Sequence, residues 1–129
     1  MAKNSNGTER YKKLEVWRLA DSLALEVYRA TKSFSREEVY GIASQLRRAA
    51  LSVPTNIVEG YARRGDRELA HSVDIALGSL AETRYLLSFC LNLGYLSEQK
   101  CGELESRASD LGGKLWRFYD KVRGGMKNS

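Results

Sequence analysis

Between Ile42 and Arg64 the chain carries two helical stripes at once. Ile42, Leu46, Ala49, Val53, Ile57 and Tyr61 recur at spacings of three and four, which makes one face of a helix apolar. Gln45, Arg48, Ser52, Asn56, Glu59 and Arg63 step in the same way and, at roughly 100° per residue, fall in a sector about 80° wide beside that face. Polar side chains on the border of a core are half buried and need hydrogen-bond partners, so Gln45, Arg48, Ser52, Asn56 and Glu59 read as a structural polar network or a subunit interface. Glu59 and Arg63 stand in the i to i+4 order that favours a helical ion pair. Pro54 lies inside the segment, yet both stripes continue in phase across it, so the expectation is one helix kinked at Pro54.

The rest of the chain supplies three more helical rows. A first helix is expected from Leu14 or Val16 to about Lys32, with Val16, Leu19, Ala20, Leu23 and Val27 on its buried face and Trp17 and Tyr28 as large anchors beside it. Ser35 with Glu38 has the spacing of a capping box, and Gly41 so soon after predicts a separate short turn before the long helix. Arg64-Gly65-Asp66 reads as a stop and restart, with Asp66 placed to cap the next helix. That helix runs from about Arg67 to Asn92, with Leu69, Val73, Ala76, Leu80, Thr83, Leu87 and Cys90 in its row. Gly78 sits at its middle, where a close approach of another helix is expected to offset the poor propensity of glycine. Gly94 and Ser97 form a tight connection to a last helix, Glu98 to Arg123, whose row is Cys101, Leu104, Ala108, Leu111, Leu115, Phe118 and Val122.

Four helices with short links predict an all-α, up-and-down antiparallel four-helix bundle over residues 14–123. Residues 1–13 and 124–129 lack an apolar period and read as flexible tails. A single proline in 129 residues fits a helical chain of one domain. No apolar run approaches the roughly 20 residues that cross a bilayer. Two cysteines, Cys90 and Cys101, make no secreted disulfide framework, so the cytoplasm is the expected compartment and two reduced, buried thiols are the expected state.

Chemistry finds little foothold. His71 is the sole histidine, so Glu68-x-x-His71 has no second copy to pair with as a di-iron bundle requires, and the glycines match no phosphate-binding loop, so no catalytic, metal or cofactor site is expected. The 21 Lys and Arg against 16 Asp and Glu leave a charge of +5, which favours polyanions and equally serves solubility. Arg63, Arg64 and Arg67 surround the end of the second long helix, and Lys114, Arg117 and Lys121 form one ridge on the last, two clusters able to grip a phosphate backbone. No aromatic residues alternate with them as a stacking platform would require, so any such binding is expected to follow shape and charge.

Leu14-Glu15-Val16-Trp17, Phe34 with Glu38, Gln45-Leu46-Arg47-Arg48-Ala49, Ser52-Val53-Pro54, Asn56-Ile57, Glu59-Gly60, Arg63, Gly78-Ser79 with Glu82, and Leu93-Gly94-Tyr95-Leu96 together resemble the four-helix bundle proteins, also called 23S rRNA intervening sequence proteins. The resemblance runs from Leu14 to Val122, with Ser35 where the family usually has proline and Leu77 where a basic residue is common. It implies a left-handed bundle that assembles as a ring-like homopentamer and has no enzymatic activity. A more distant likeness is to the accessory variability determinant of diversity-generating retroelements, a basic pentamer that works with a reverse transcriptase and RNA. Two functions follow as expectations. One is a non-enzymatic homo-oligomer that presents basic ridges to structured RNA or other nucleic acid; the other is a scaffold recruiting a partner such as a polymerase, with the charge serving solubility alone.

Overall fold

Four amphipathic rods connected by short turns can bury their apolar rows only against one another, and they do so as a closed square. A computed structural model describes residues 9–127. Its helices are α1 (Glu15–Ala30), the single turn α2 (Arg36–Val39), α3 (Ile42–Ala62), α4 (Asp66–Asn92) and α5 (Glu98–Lys127), with a 3-10 turn at Arg10–Lys13. There is no strand among the described residues. α1 packs on α3, α3 on α4, α4 on α5 and α5 back on α1, the neighbour relations of an up-and-down bundle. Leu23, Leu46, Ile57, Leu87, Leu104, Leu111 and Leu115 are fully buried where the rows meet.

Most of each expected row is buried, from Val16 in α1 to Val122 in α5, while Leu19, Ile42, Tyr61, Leu69 and Phe118 are half-buried at the margins. α3 is one continuous helix through Pro54, whose ring is buried; a bend there remains an expectation from ring sterics. Gly94, at φ 82°, terminates α4 in the left-handed region, and Tyr95 N–H donates back to Cys90 O at 2.9 Å. Ser97 then caps α5, its Oγ accepting from Lys100 N–H at 3.0 Å.

Several local expectations are corrected. Gly65, with φ at 92°, holds the cap position before α4, and Asp66 is the first helical residue; the carboxylate favours the positive end of the helix without a cap bond. Ser35 and Glu38 bond each other directly instead of capping backbone amides, because Glu38 is also drawn to Tyr95, whose hydroxyl donates to its Oε2 at 2.8 Å. Phe34 meets the same Tyr95 ring edge-on at 5.5 Å, so the α1–α3 and α4–α5 connections are tied together. Gly78 has no atom within 4 Å of where a Cβ would stand, so it marks no close approach within the chain. The close approach belongs to Gly60, where a Cβ would lie 2.5 Å from Ser72 Cβ of α4.

The chain is also ordered beyond the expected bundle limits. Arg10–Lys13 coil into the 3-10 turn, held by Tyr11 packed edge-on against Trp17 at 4.9 Å and by the Arg18 guanidinium donating to Lys12 O at 3.0 Å. At the other end α5 continues past Arg123 to Lys127, because its last turn lies against the start of α4; a Cβ on Gly125 would meet Asp66 Oδ2 at 2.5 Å. The remainder of both proposed tails, residues 1–8 and 128–129, lies outside the described residues.

Candidate nucleic-acid interface

The antiparallel order decides which charges meet. α3 ends, α4 begins, α5 ends and α1 begins at one end of the square, so Arg63 and Arg64 after α3, Arg67 in the first turn of α4, and Arg117 and Lys121 near the end of α5 share that end. All five are exposed, and among the described residues none is paired with a carboxylate. Arg67 sits at the positive end of the α4 dipole, where a cation weakens a helix and an anion is welcome, so helix stability does not account for it.

Lys114 differs from the rest of its ridge. Its ammonium donates to Glu15 Oε2 at 3.1 Å and lies 3.6 Å from Asp110 Oδ2. The hydrogen bond from Lys114 to Glu15, with the charges of Asp110 and Glu15, raises its pKa. It fastens α5 to the start of α1 and brings little free charge. Arg117 and Lys121 line a shallow groove with Leu14, Val16 and Phe118 beside that pair. The carboxylates of Asp66, Glu68 and Asp120 are at the same end, so the surface is mixed with a cationic excess.

Residues that sequence reasoning overlooked join this surface. Arg10 places its guanidinium 5.4 Å from the centre of the Tyr61 ring at the end of α3, which docks a cation of the supposed tail onto the bundle. Trp116 is 53% exposed, directly before Arg117, and meets Tyr119 at 5.8 Å with the rings perpendicular. The spacing of Tyr11 and Trp17 was an available signal for the first; nothing in the α5 periodicity tells an exposed tryptophan from a half-buried one.

The polar stripe of α3 divides in two. Asn56 Nδ2 donates to Ser52 O at 2.8 Å and Ser52 Oγ at 2.9 Å, and Ser79 Oγ of α4 bonds Ser52 Oγ at 2.9 Å, a small polar link between neighbouring helices. Gln45, Arg48 and Glu59 are exposed and outside it. Glu59 and Arg63 form no ion pair: α3 ends at Ala62 and Arg63 turns into extended backbone, φ −84° and ψ 167°, so the i to i+4 geometry is lost. Two open grooves flank α3 near Tyr40, Arg48 and Ser52, lined by neither Asn56, Glu59 nor the exposed His71.

Cys90 and Cys101 are free and buried, and Cys101 Sγ lies 3.6 Å from Leu87 O. Burial, then the neighbouring Cys101, pushes the Cys90 thiol up to about 11, which leaves it protonated and unreactive at neutral pH. Among the described residues no three His, Cys, Asp or Glu side chains group as metal ligands would, and no helix is long and apolar enough to cross a membrane.

The fold and its surface define an all-helical bundle with a basic end. Residues 12–117 match the family model described as 23S rRNA-intervening sequence protein, and the chain belongs to that family. The structure is similar to the crystal structure of a protein with unknown function from the S23 ribosomal protein family from Bacteroides thetaiotaomicron, with a TM-score of 0.76 at 18% identity over 81% of this chain and 95% of that one. At that identity the likeness concerns the fold alone. No curated protein matches the sequence.

Proposed function

We propose that this chain is a non-enzymatic, cytoplasmic homo-oligomer that binds structured RNA or another nucleic acid through its basic end. The observation that carries the reading is the gathering of Arg63, Arg64, Arg67, Arg117 and Lys121, from segments far apart in sequence, at one end of the bundle with no carboxylate paired to them among the described residues. A phosphate backbone laid across them gains charge contacts and releases counterions. Self-association is supported by Ile75, Tyr85 and Phe89, three large exposed side chains along one side of α4, and a pentamer is the assembly the family resemblance implies. A ring would multiply a weak phosphate site through effective concentration. Free, buried thiols fit a reducing cytoplasm.

The test is retention of a structured RNA near physiological salt, with Arg117→Ala/Lys121→Ala as the variant. The expected result is weaker binding and a salt slope smaller by about two, one for each lost phosphate contact. Absence of retention by the unaltered protein even at low salt overturns the reading.

A second reading is a scaffold for a protein partner such as a polymerase. Tyr40, 81% exposed, and Leu51, 46% exposed, favour it, because they line an open groove with Arg47 and Arg48 on the outer side of α3. Loss of partner capture in Tyr40→Ala with RNA retention unchanged would select this reading.

A further inference from the structure

Two exposed surfaces of the bundle are opposite in charge and stand at the same height. The first is the open groove on α3, about 600 Å³ in volume, where Tyr40 and Leu51 lie beside Arg47 and Arg48 and no carboxylate lines the walls. Arg47 is locked in place: its guanidinium lies 4.9 Å from the centre of the Tyr28 ring, Nε donates to Thr31 Oγ1 at 2.7 Å and Nη2 donates to Tyr28 O at 3.3 Å. Those partners are neutral, and among the described residues neither arginine has an ion pair, so the groove keeps both charges. The second surface is the outer side of α4, where Ile75, Glu82, Tyr85 and Phe89 fall within about 80° around the helix axis. Asp74 adjoins it, Arg84 of the same stretch is engaged by Glu105 of α5, and neither Asp74 nor Glu82 is paired among the described residues. The bond between Ser52 and Ser79 fixes the level of one helix against the other, and counting back along α3 and forward along α4 brings Arg48 level with Glu82, the middle of the strip.

We infer that the α4 strip of one copy docks in the α3 groove of the next, with Asp74 and Glu82 facing Arg47 and Arg48 while Ile75, Tyr85 and Phe89 cover Leu51 and Tyr40. The inference rests on the self-association reading above and names both halves of the contact, giving a second copy the groove that the scaffold reading leaves to another protein. A two-fold contact of the strip with itself fits less well. Glu82 is the midpoint of Ile75 and Phe89, so antiparallel pairing sets Glu82 against Glu82. Two different patches make a head-to-tail contact, which closes into a ring when successive copies do not climb and winds into a filament when they do. Equal heights remove the climb. The bundles then stand side by side and point the same way, so every basic end opens on one face of the ring.

The experiment is light scattering of the full chain with a groove variant, Arg48→Glu, and a strip variant, Asp74→Arg/Glu82→Arg, each alone and then mixed in equal amounts. Each alone is expected to fall to the mass of a single chain with its helical circular dichroism intact, since all three positions are exposed. The mixture is expected to recover at least a dimer, because the groove variant keeps an unaltered strip and the strip variant keeps an unaltered groove. If Arg48→Glu retains the full mass, the groove is left to another protein and the inference is overturned while self-association stands. If both variants fall to single chains and their mixture stays there, the two patches do not meet each other and the inference is equally overturned. An unaltered protein of single-chain mass removes self-association and the inference with it. Should a reversal lose the helical signal, Arg48→Gln and Glu82→Gln are expected to move dissociation to higher protein concentration, and no movement in either overturns the inference.

Discussion

Gly60 of α3 and Ser72 of α4 approach so closely that a Cβ on the glycine would stand 2.5 Å from the serine's Cβ. An atom fixed to a helix backbone cannot swing aside as a long side chain would, so the two helices themselves would have to part. Gly60→Ala is expected to destabilise the fold by about 1–3 kcal/mol, the usual range for overpacking. Gly78→Ala, where the added methyl meets nothing within 4 Å, should stabilise by up to about 1 kcal/mol. Urea midpoints of the two variants check this; equal shifts of the same sign would show that the approach at Gly60 is not tight.

Glu38 and Tyr95 join the two loops at the other end of the bundle. The Ser35 hydroxyl, then the Tyr95 hydroxyl, holds the Glu38 carboxyl below its ordinary range, and the bond to Glu38 raises the Tyr95 phenol. A lowered carboxyl contributes stability above its unfolded pKa and loses it as pH falls through the folded value. A raised phenol contributes below its unfolded pKa and loses it as pH rises through the folded value. The tie is therefore at full strength between the acid and tyrosine ranges. Tyr95→Phe should lower the melting temperature modestly at neutral pH and lose that difference in acid; a difference constant with pH would remove Glu38 from the account.

Lys114 and Lys121 share a ridge and differ in free charge. Since Lys114 is engaged by Glu15 and Asp110, Lys114→Ala should cost thermal stability and little RNA affinity. Lys121→Ala should do the reverse, reducing the salt slope by about one. Equal losses of binding in the two variants would mean that the ion pairs of Lys114 open on contact with the ligand.

Ile75 and Phe89 are 44% and 42% exposed on the outer side of α4. Ile75→Glu/Phe89→Glu should leave the helical circular dichroism intact and reduce the mass in light scattering to that of a single chain. A particle unchanged in mass would place the assembly surface elsewhere, and a single-chain mass before substitution would remove it altogether.

The helices and their buried rows were readable because an apolar side chain every three or four residues needs no knowledge of its partner. Their ends were readable where glycine takes a positive φ, as at Gly65 and Gly94. What escaped was whatever depends on the neighbour across the gap. Gly60 and Gly78 are indistinguishable in sequence, and only the position of Ser72 makes one crowded and the other free. Lys114 and Lys121 repeat at helical spacing, and what separates their roles is chiefly Glu15, 99 residues earlier than Lys114 in the chain. Glu59 and Arg63 stand at the right interval, yet the helix stops between them. The convergence of the basic clusters followed from the antiparallel order; the open face of Trp116 depends on the rotation of α5 about its own axis, which a broad apolar row leaves undetermined.

An even number of alternating rods brings a polypeptide back to the end where it started, so Arg10, docked on the end of α3, and the last turn of α5, lying against the start of α4, share one pole of the bundle. A label fused directly ahead of Arg10 or after the last turn of α5 would thus crowd the surface proposed to take phosphates, whereas one inserted at Leu93–Ser97 would hang from the far pole. Measurements of binding made on terminally tagged protein should accordingly underestimate it.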